Sequence, residues 1–93
     1  MRKYESLFIF HPTLEEEELK RKIEQVEKII TDKKGRVENV DRIGRKRLPY
    51  PIKKCVEGVY VLINFEIEPE DACKFKEMLL KDKKILRYTV VRR

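Results

Sequence analysis

The 93 residues contain no tryptophan, one histidine, two cysteines and three glycines. Each shortage removes a class of chemistry. Cys55 and Cys73 are too few to staple a domain of this length with disulfides, and they lack the Cys-x-x-Cys spacing of zinc, iron–sulfur or dithiol sites. His11 stands beside Pro12 with no second histidine to complete a metal set and no serine-elbow motif to form a triad. Gly35, Gly44 and Gly58 are too scattered for a phosphate-cradling loop. Glu15 to Glu18 are consecutive on a helix, so their carboxylates point apart and form no acid–base pair. These absences predict no catalysis, no cofactor and no small-molecule substrate. No apolar run approaches the ~20 residues that span a bilayer. Met1 to Phe10 carries Arg2, Lys3 and Glu5, unlike a signal peptide. The expectation is a reduced, cytoplasmic chain with no membrane partner.

Charge is what the sequence has in abundance. Charged residues make up 43% of the chain, 23 basic against 17 acidic. Arg42, Arg45, Lys46, Arg47, Lys53 and Lys54 fall in one stretch with no acid among them. Without those six, basic and acidic residues number 17 each, so a single segment carries the whole imbalance. A basic charge focused in this way points to a polyanionic partner rather than to general solubility. The length fits one domain, residues 1–93, with a thin core beneath an ionic surface.

Apolar spacing gives the elements. Lys3 to Phe10 alternates as a strand and stops at His11-Pro12. Thr13 and Glu16 have the spacing of a capping box, which predicts a helix start there. Leu19, Ile23, Val26 and Ile30 follow at helical period, with Gly35 expected to end the helix. Val37, Val40 and Ile43 suggest a second strand with a bulge at Gly44. Leu48-Pro49-Tyr50-Pro51 lacks two ladder donors, so a loop is expected through Gly58. Val59 to Ile67 is a third strand. Pro69 opens a second helix with Ala72, Phe75 and Leu79 inward, and Ile85 to Val91 closes the chain as a strand.

The order β-α-β-β-α-β, with right-handed crossovers, predicts an α+β, ferredoxin-like split βαββαβ sandwich. Its four-stranded antiparallel sheet has the order 4-1-3-2, and both helices cover one face. Strand alternation assigns Tyr4, Phe8, Phe10, Val61, Ile63, Phe65 and Ile67 to the helices. Leu7, Ile9, Tyr60, Leu62 and Val91 fall on the uncovered face, an apolar patch that calls for a protein partner. Strand direction puts Arg45–Lys54 and Lys83-Lys84 at one end of the sheet and Arg2, Lys3, Arg92 and Arg93 at the other. Such cations bind phosphate oxygens without reading sequence. RNA-recognition-motif domains share this topology, but Glu57-Gly58-Val59-Tyr60-Val61 has valines where they stack bases on aromatics. Structured RNA held by its backbone fits better.

The residues also carry a family resemblance. Met1-Arg2-Lys3-Tyr4-Glu5, the block Gly44-Arg45-Lys46-Arg47-Leu48-Pro49-Tyr50-Pro51-Ile52-Lys53-Lys54, Gly58-x-Tyr60 and Arg87-Tyr88-x-Val90-Val91 resemble the bacterial small-subunit ribosomal protein six family, in order and spacing along the whole chain. Pro49 stands where the family commonly has alanine, and many members continue beyond the position of Arg93. The resemblance implies a structural constituent of the cytoplasmic ribosome, bound to 16S ribosomal RNA in the central domain of the small subunit as a heterodimer with ribosomal protein eighteen. It makes Arg2, Lys3, Arg45, Lys46, Arg47, Lys53, Lys54, Arg92 and Arg93 the candidate RNA contacts. Leu7, Ile9, Tyr50, Tyr60, Leu62 and Val91 become the candidate partner face. Two readings compete: an acylphosphatase-like hydrolase, although no glycine-and-arginine phosphate loop stands near Phe8 to Leu14, and a protein-only interaction module.

Overall fold

A computed structural model describes residues 1–93 and places the elements in the order β1 (Arg2–Phe10), α1 (Glu16–Asp32), β2 (Arg36–Ile52), β3 (Cys55–Ile67), α2 (Pro69–Leu80) and β4 (Ile85–Arg92). All strand pairs are antiparallel and the sheet order is β2-β3-β1-β4, the predicted order read from the opposite edge. The two most apolar strands occupy the centre. The charged β2 and β4 form the edges, where charge discourages pairing with other chains.

The core forms where the helical stripes meet one face of the sheet. Leu19, Ile23, Val26 and Ile30 of α1, and Ala72, Phe75 and Leu79 of α2, bury against Phe8, Phe10, Val61, Ile63, Phe65 and Ile67. Phe75 packs against Phe65 with ring centroids 5.1 Å apart and meets Phe8 edge-on at 6.5 Å. Each such side chain contributes about 1.5–3 kcal/mol through removal from water. Ser6 is the one fully buried polar residue of β1, and its hydroxyl donates to the Thr89 carbonyl at 2.8 Å. That bond satisfies the hydroxyl and ties β1 to β4.

Three local expectations change. The capping box lies two residues later than the Thr13–Glu16 spacing suggests: Glu15 caps α1, and its N–H donates to the Glu18 carboxylate at 3.3 Å. Thr13 instead bonds His11, which competes for the hydroxyl that capping would need. At the other end of α1, Lys34 and not Gly35 takes the left-handed backbone, with φ 61°. Gly35 is required for a different reason. A Cβ there would stand 2.5 Å from the Glu66 carbonyl oxygen and 2.9 Å from Ile30.

The largest difference is the expected loop before Gly58. β2 runs on to Ile52 and returns at once as β3, with Ile52 opposite Cys55 and only Lys53-Lys54 between them. Both lysines have positive φ, 49° and 66°, as a two-residue primed turn demands. The prolines are accommodated because β2 is an edge strand, and the register breaks between Arg47 and Ile52. Gly44 sits at another register break with φ 109°, as the bulge reading expects.

Candidate nucleic-acid interface

Strand register fixes where the cations lie. Arg45 faces Val59, Val59 faces Phe10, and Phe10 faces Ile85, so these residues share one level of the sheet. Beyond that level the β2–β3 hairpin runs past the paired length of β1, bearing Lys46, Arg47, Lys53 and Lys54, and packs against Ile9 and Leu86. Lys83 and Lys84 join this end, since the His11 N–H donates to the Lys84 carbonyl at 2.8 Å. At the opposite end Arg2 faces Ile67 and Arg92 faces Tyr4. Met1, Arg2, Lys3, Arg92 and Arg93 line a shallow concavity of about 380 Å³ there. The two groups stand at opposite ends of the nine-residue β1, which spans about 26 Å, so they form separate poles.

The cations differ in what they touch. Arg42 is held by Glu16 at 2.6 Å, and Arg45 by Glu57 at 2.9 Å and by the Pro12 carbonyl at 2.9 Å. The segment is therefore not wholly unneutralised, contrary to its acid-free sequence: carboxylates from α1 and β3 reach its root. At the far pole Lys3 lies 4.0 Å from Glu66, and Arg93 is bonded to Glu38 at 3.1 Å. The Lys53 ammonium donates to the Ile85 carbonyl at 3.4 Å, which closes the hairpin over β4. Lys46, Arg47 and Lys54 at one pole, and Arg2 and Arg92 at the other, have no carboxylate within ion-pair distance. All five are exposed. Their charges stay available to a polyanion, whereas the exposed ion pairs contribute little stability.

The uncovered face of the sheet is only partly open. Ile9 is buried, contrary to its expected place on the exposed patch, because Leu48 and Leu86 close over it in a second small cluster that Ile52, Cys55 and Tyr60 support. Leu7, Ile9, Tyr50 and Tyr60 nevertheless come together, lining a mostly apolar cavity of about 240 Å³ beside Leu48 and Pro49. Arg87 donates to the Tyr50 hydroxyl at its rim. Leu62 lies outside this cavity, half-buried between Leu7 and Asp41, and Val91 is exposed opposite Glu5. Asn64, between Glu5 and Asn39, has a buried side-chain oxygen without a partner.

Sequence reading missed one contact at the hairpin root. His11 accepts the Thr13 N–H on Nδ1 at 3.2 Å, and its Nε2 lies 3.4 Å from Cys55 Sγ. The pair fastens the start of β3 to the end of β1. Only the hairpin register brings these residues together, so spacing gave no signal. No group of three metal-ligating side chains forms anywhere, and no helix is long and apolar enough to cross a membrane.

The family model described as Ribosomal protein S6 matches residues 3–92. The small ribosomal subunit protein bS6 of Cutibacterium acnes is 45% identical over 92 residues, covering 99% of this chain and 96% of that protein. The bS6 protein of Clostridium novyi is 44% identical over 91 residues, with 98% and 96% covered. The crystal structure of 30S ribosomal protein S6 from Thermotoga maritima matches with a TM-score of 0.93 at 35% identity, over 99% of this chain and 87% of that one.

Proposed function

The chain belongs to the ribosomal protein S6 family, and on that premise we propose that it binds 16S ribosomal RNA in the central domain of the small subunit together with ribosomal protein eighteen. As a family member it is a structural component of the small ribosomal subunit and a cytoplasmic ribosome component. Its role is attachment rather than catalysis, and residues 1–93 act as one unit. The observation that carries the RNA reading is the exposed set Lys46, Arg47 and Lys54 on the β2–β3 hairpin, free of carboxylate partners. Cations in this state displace counterions from phosphates and give affinity that falls with salt.

In this reading Arg45, Lys46, Arg47, Lys53 and Lys54 contact RNA at one pole, and Arg2, Lys3, Arg92 and Arg93 at the other. The partner protein covers Leu7, Ile9, Tyr50, Tyr60, Leu62 and Val91, with Ile9 acting from beneath Leu48 as support for the cavity. An apolar side chain in that cavity would fill the open feature of the face. The test is affinity for a 16S central-domain fragment, with and without ribosomal protein eighteen, across a salt series. A steep loss of affinity with salt is expected, and tightening when the partner is added. Affinity indifferent to salt would remove the phosphate contacts.

A further inference from the structure

We propose that Cys55 is a thiol modification site, where His11 supports attack of the sulfur on an anionic low-molecular-weight disulfide to leave a mixed disulfide. The fold brings the two together from the end of β1 and the start of β3, with His11 Nε2 3.4 Å from Cys55 Sγ. The other ring nitrogen fixes the tautomer. Nδ1 receives the Thr13 backbone N–H at 3.2 Å and lies 2.7 Å from the Thr13 hydroxyl oxygen. A backbone N–H can only donate, so Nδ1 carries no proton in the neutral ring, and the ring proton sits on Nε2, facing the sulfur. Cys55 meanwhile directs its S–H at the Lys53 carbonyl, 3.8 Å away, a long contact that costs little to give up. The sulfur therefore has a donor in place before its own proton leaves. That bond strengthens as negative charge develops on the sulfur.

The thiolate is the form that attacks disulfides, and the charges around Cys55 suit both it and an anionic reagent. Lys53 and Lys54 immediately precede it in the turn. Glu57, on the same face of β3, is engaged by Arg45 at 2.9 Å. Cys73 supplies the contrast within one molecule. It is exposed where Cys55 is half-buried, and no side-chain donor reaches it. Glu70 and Glu77 flank it on its own face of α2, with Lys76 the one cation beside them. Exposure favours Cys73, whereas the donor and the charges favour Cys55. In the reaction the Cys55 thiolate attacks one sulfur of the reagent and forms a new S–S bond. The reagent's own S–S bond breaks, and its second sulfur leaves as a thiolate that takes a proton from solvent. The disulfide is itself the oxidant, and the adduct sets its negative groups beside Lys53 and Lys54.

The test uses the purified, reduced full chain and two probes, anionic oxidised glutathione and cationic cystamine. Mass spectrometry of proteolytic peptides after acid quenching reads the rate of adduct formation at each cysteine. With oxidised glutathione, Cys55 of the wild type should react roughly tenfold or more faster than Cys73. With cystamine that lead should shrink. His11→Gln keeps a side-chain N–H within reach of the sulfur and should retain most of the lead. His11→Phe removes the donor and should bring Cys55 down to the rate of Cys73 or below it, with circular dichroism showing that the variant is folded. The wild-type ratio needs no variant: Cys55 reacting no faster than Cys73 overturns the site. A lead that cystamine leaves unchanged overturns the preference for anionic reagents, and a lead that survives His11→Phe overturns the part given to His11.

Discussion

Gly58 and Ile9 meet with no room between them: a Cβ on Gly58 would stand 2.5 Å from Ile9 Cγ2 and 3.2 Å from the Phe10 carbonyl oxygen. Ile9 has little room to move, because Leu48 and Leu86 pack against it. Cγ2 is bonded directly to a branched Cβ, so it moves only if χ1 leaves its well. Gly58→Ala should therefore destabilise the fold by about 1–3 kcal/mol. For a domain of this size that lowers Tm by roughly 4–8 °C per kcal/mol, read by circular dichroism. Combining it with Ile9→Ala should cost less than the sum of the two single changes, because the first clash disappears. Strict additivity would show that the contact is not the cause.

The turn at Lys53-Lys54 should respond in the opposite direction. Both residues lie in the left-handed region, at φ 49° and 66°, where a side chain costs about 1–2 kcal/mol. Lys53→Asn/Lys54→Gly supplies the residues that primed turns favour, offset in part by the entropy of glycine. A net gain of about 1 kcal/mol is expected in denaturant titrations. The same variant should bind RNA more weakly, having lost two cations. Improved stability with unchanged RNA affinity would separate the tip from the RNA surface.

That turn also marks the limit of what could be read in the residues. β1, β3 and the inward stripes of both helices were legible, because burial on one face forces apolar periods of two and 3.6 residues. The sheet order followed from handedness alone. The hairpin was hidden by Pro49 and Pro51, which argue against an inner strand but are permitted on an edge, and by a Lys-Lys turn without an Asn-Gly signature. The candidate site was legible as a charged segment and not as individual roles. Arg42 with Glu16 is a contact between β2 and α1, and Arg45 with Glu57 exists only once the hairpin register is known. The burial of Ile9 under Leu48 has the same cause, since it depends on β2 continuing past its prolines.

The division between engaged and free cations makes a quantitative prediction. Lys46, Arg47 and Lys54 lack carboxylate partners, while Arg45 is bound to Glu57 and to the Pro12 carbonyl. Replacing the first three with alanine should reduce the slope of log affinity against log salt by about 2–3, close to one per lost phosphate contact. Melting should stay within about 0.5 kcal/mol, because exposed charges without partners hold nothing together. Arg45→Ala should shift the salt slope by less than Arg47→Ala, because Arg45 is already paired with Glu57, and should change stability by no more than about 1 kcal/mol, because water replaces its exposed bonds. Equal slopes for Arg45→Ala and Arg47→Ala would mean that the ion pair with Glu57 opens when RNA binds.

The uncovered face can be tested apart from the RNA poles. Tyr50 and Val91 are both well exposed, at 52% and 59%, at opposite ends of that face. Neither supports the main core, so Tyr50→Ala and Val91→Asp should leave Tm nearly unchanged. If ribosomal protein eighteen covers the whole face, Val91→Asp buries an unpaired carboxylate beside Glu5, and the two negative charges repel. Tyr50→Ala removes an aromatic anchor at the cavity rim and frees Arg87 from its hydroxyl acceptor. Calorimetric titration with the partner should show at least tenfold weaker binding for each, about 1.4 kcal/mol. A loss confined to Tyr50→Ala would restrict the partner to the cavity, because nothing then covers the half of the sheet that Val91 shares with Glu5. Full affinity in both variants would remove the partner from this face and leave the apolar cavity without an occupant.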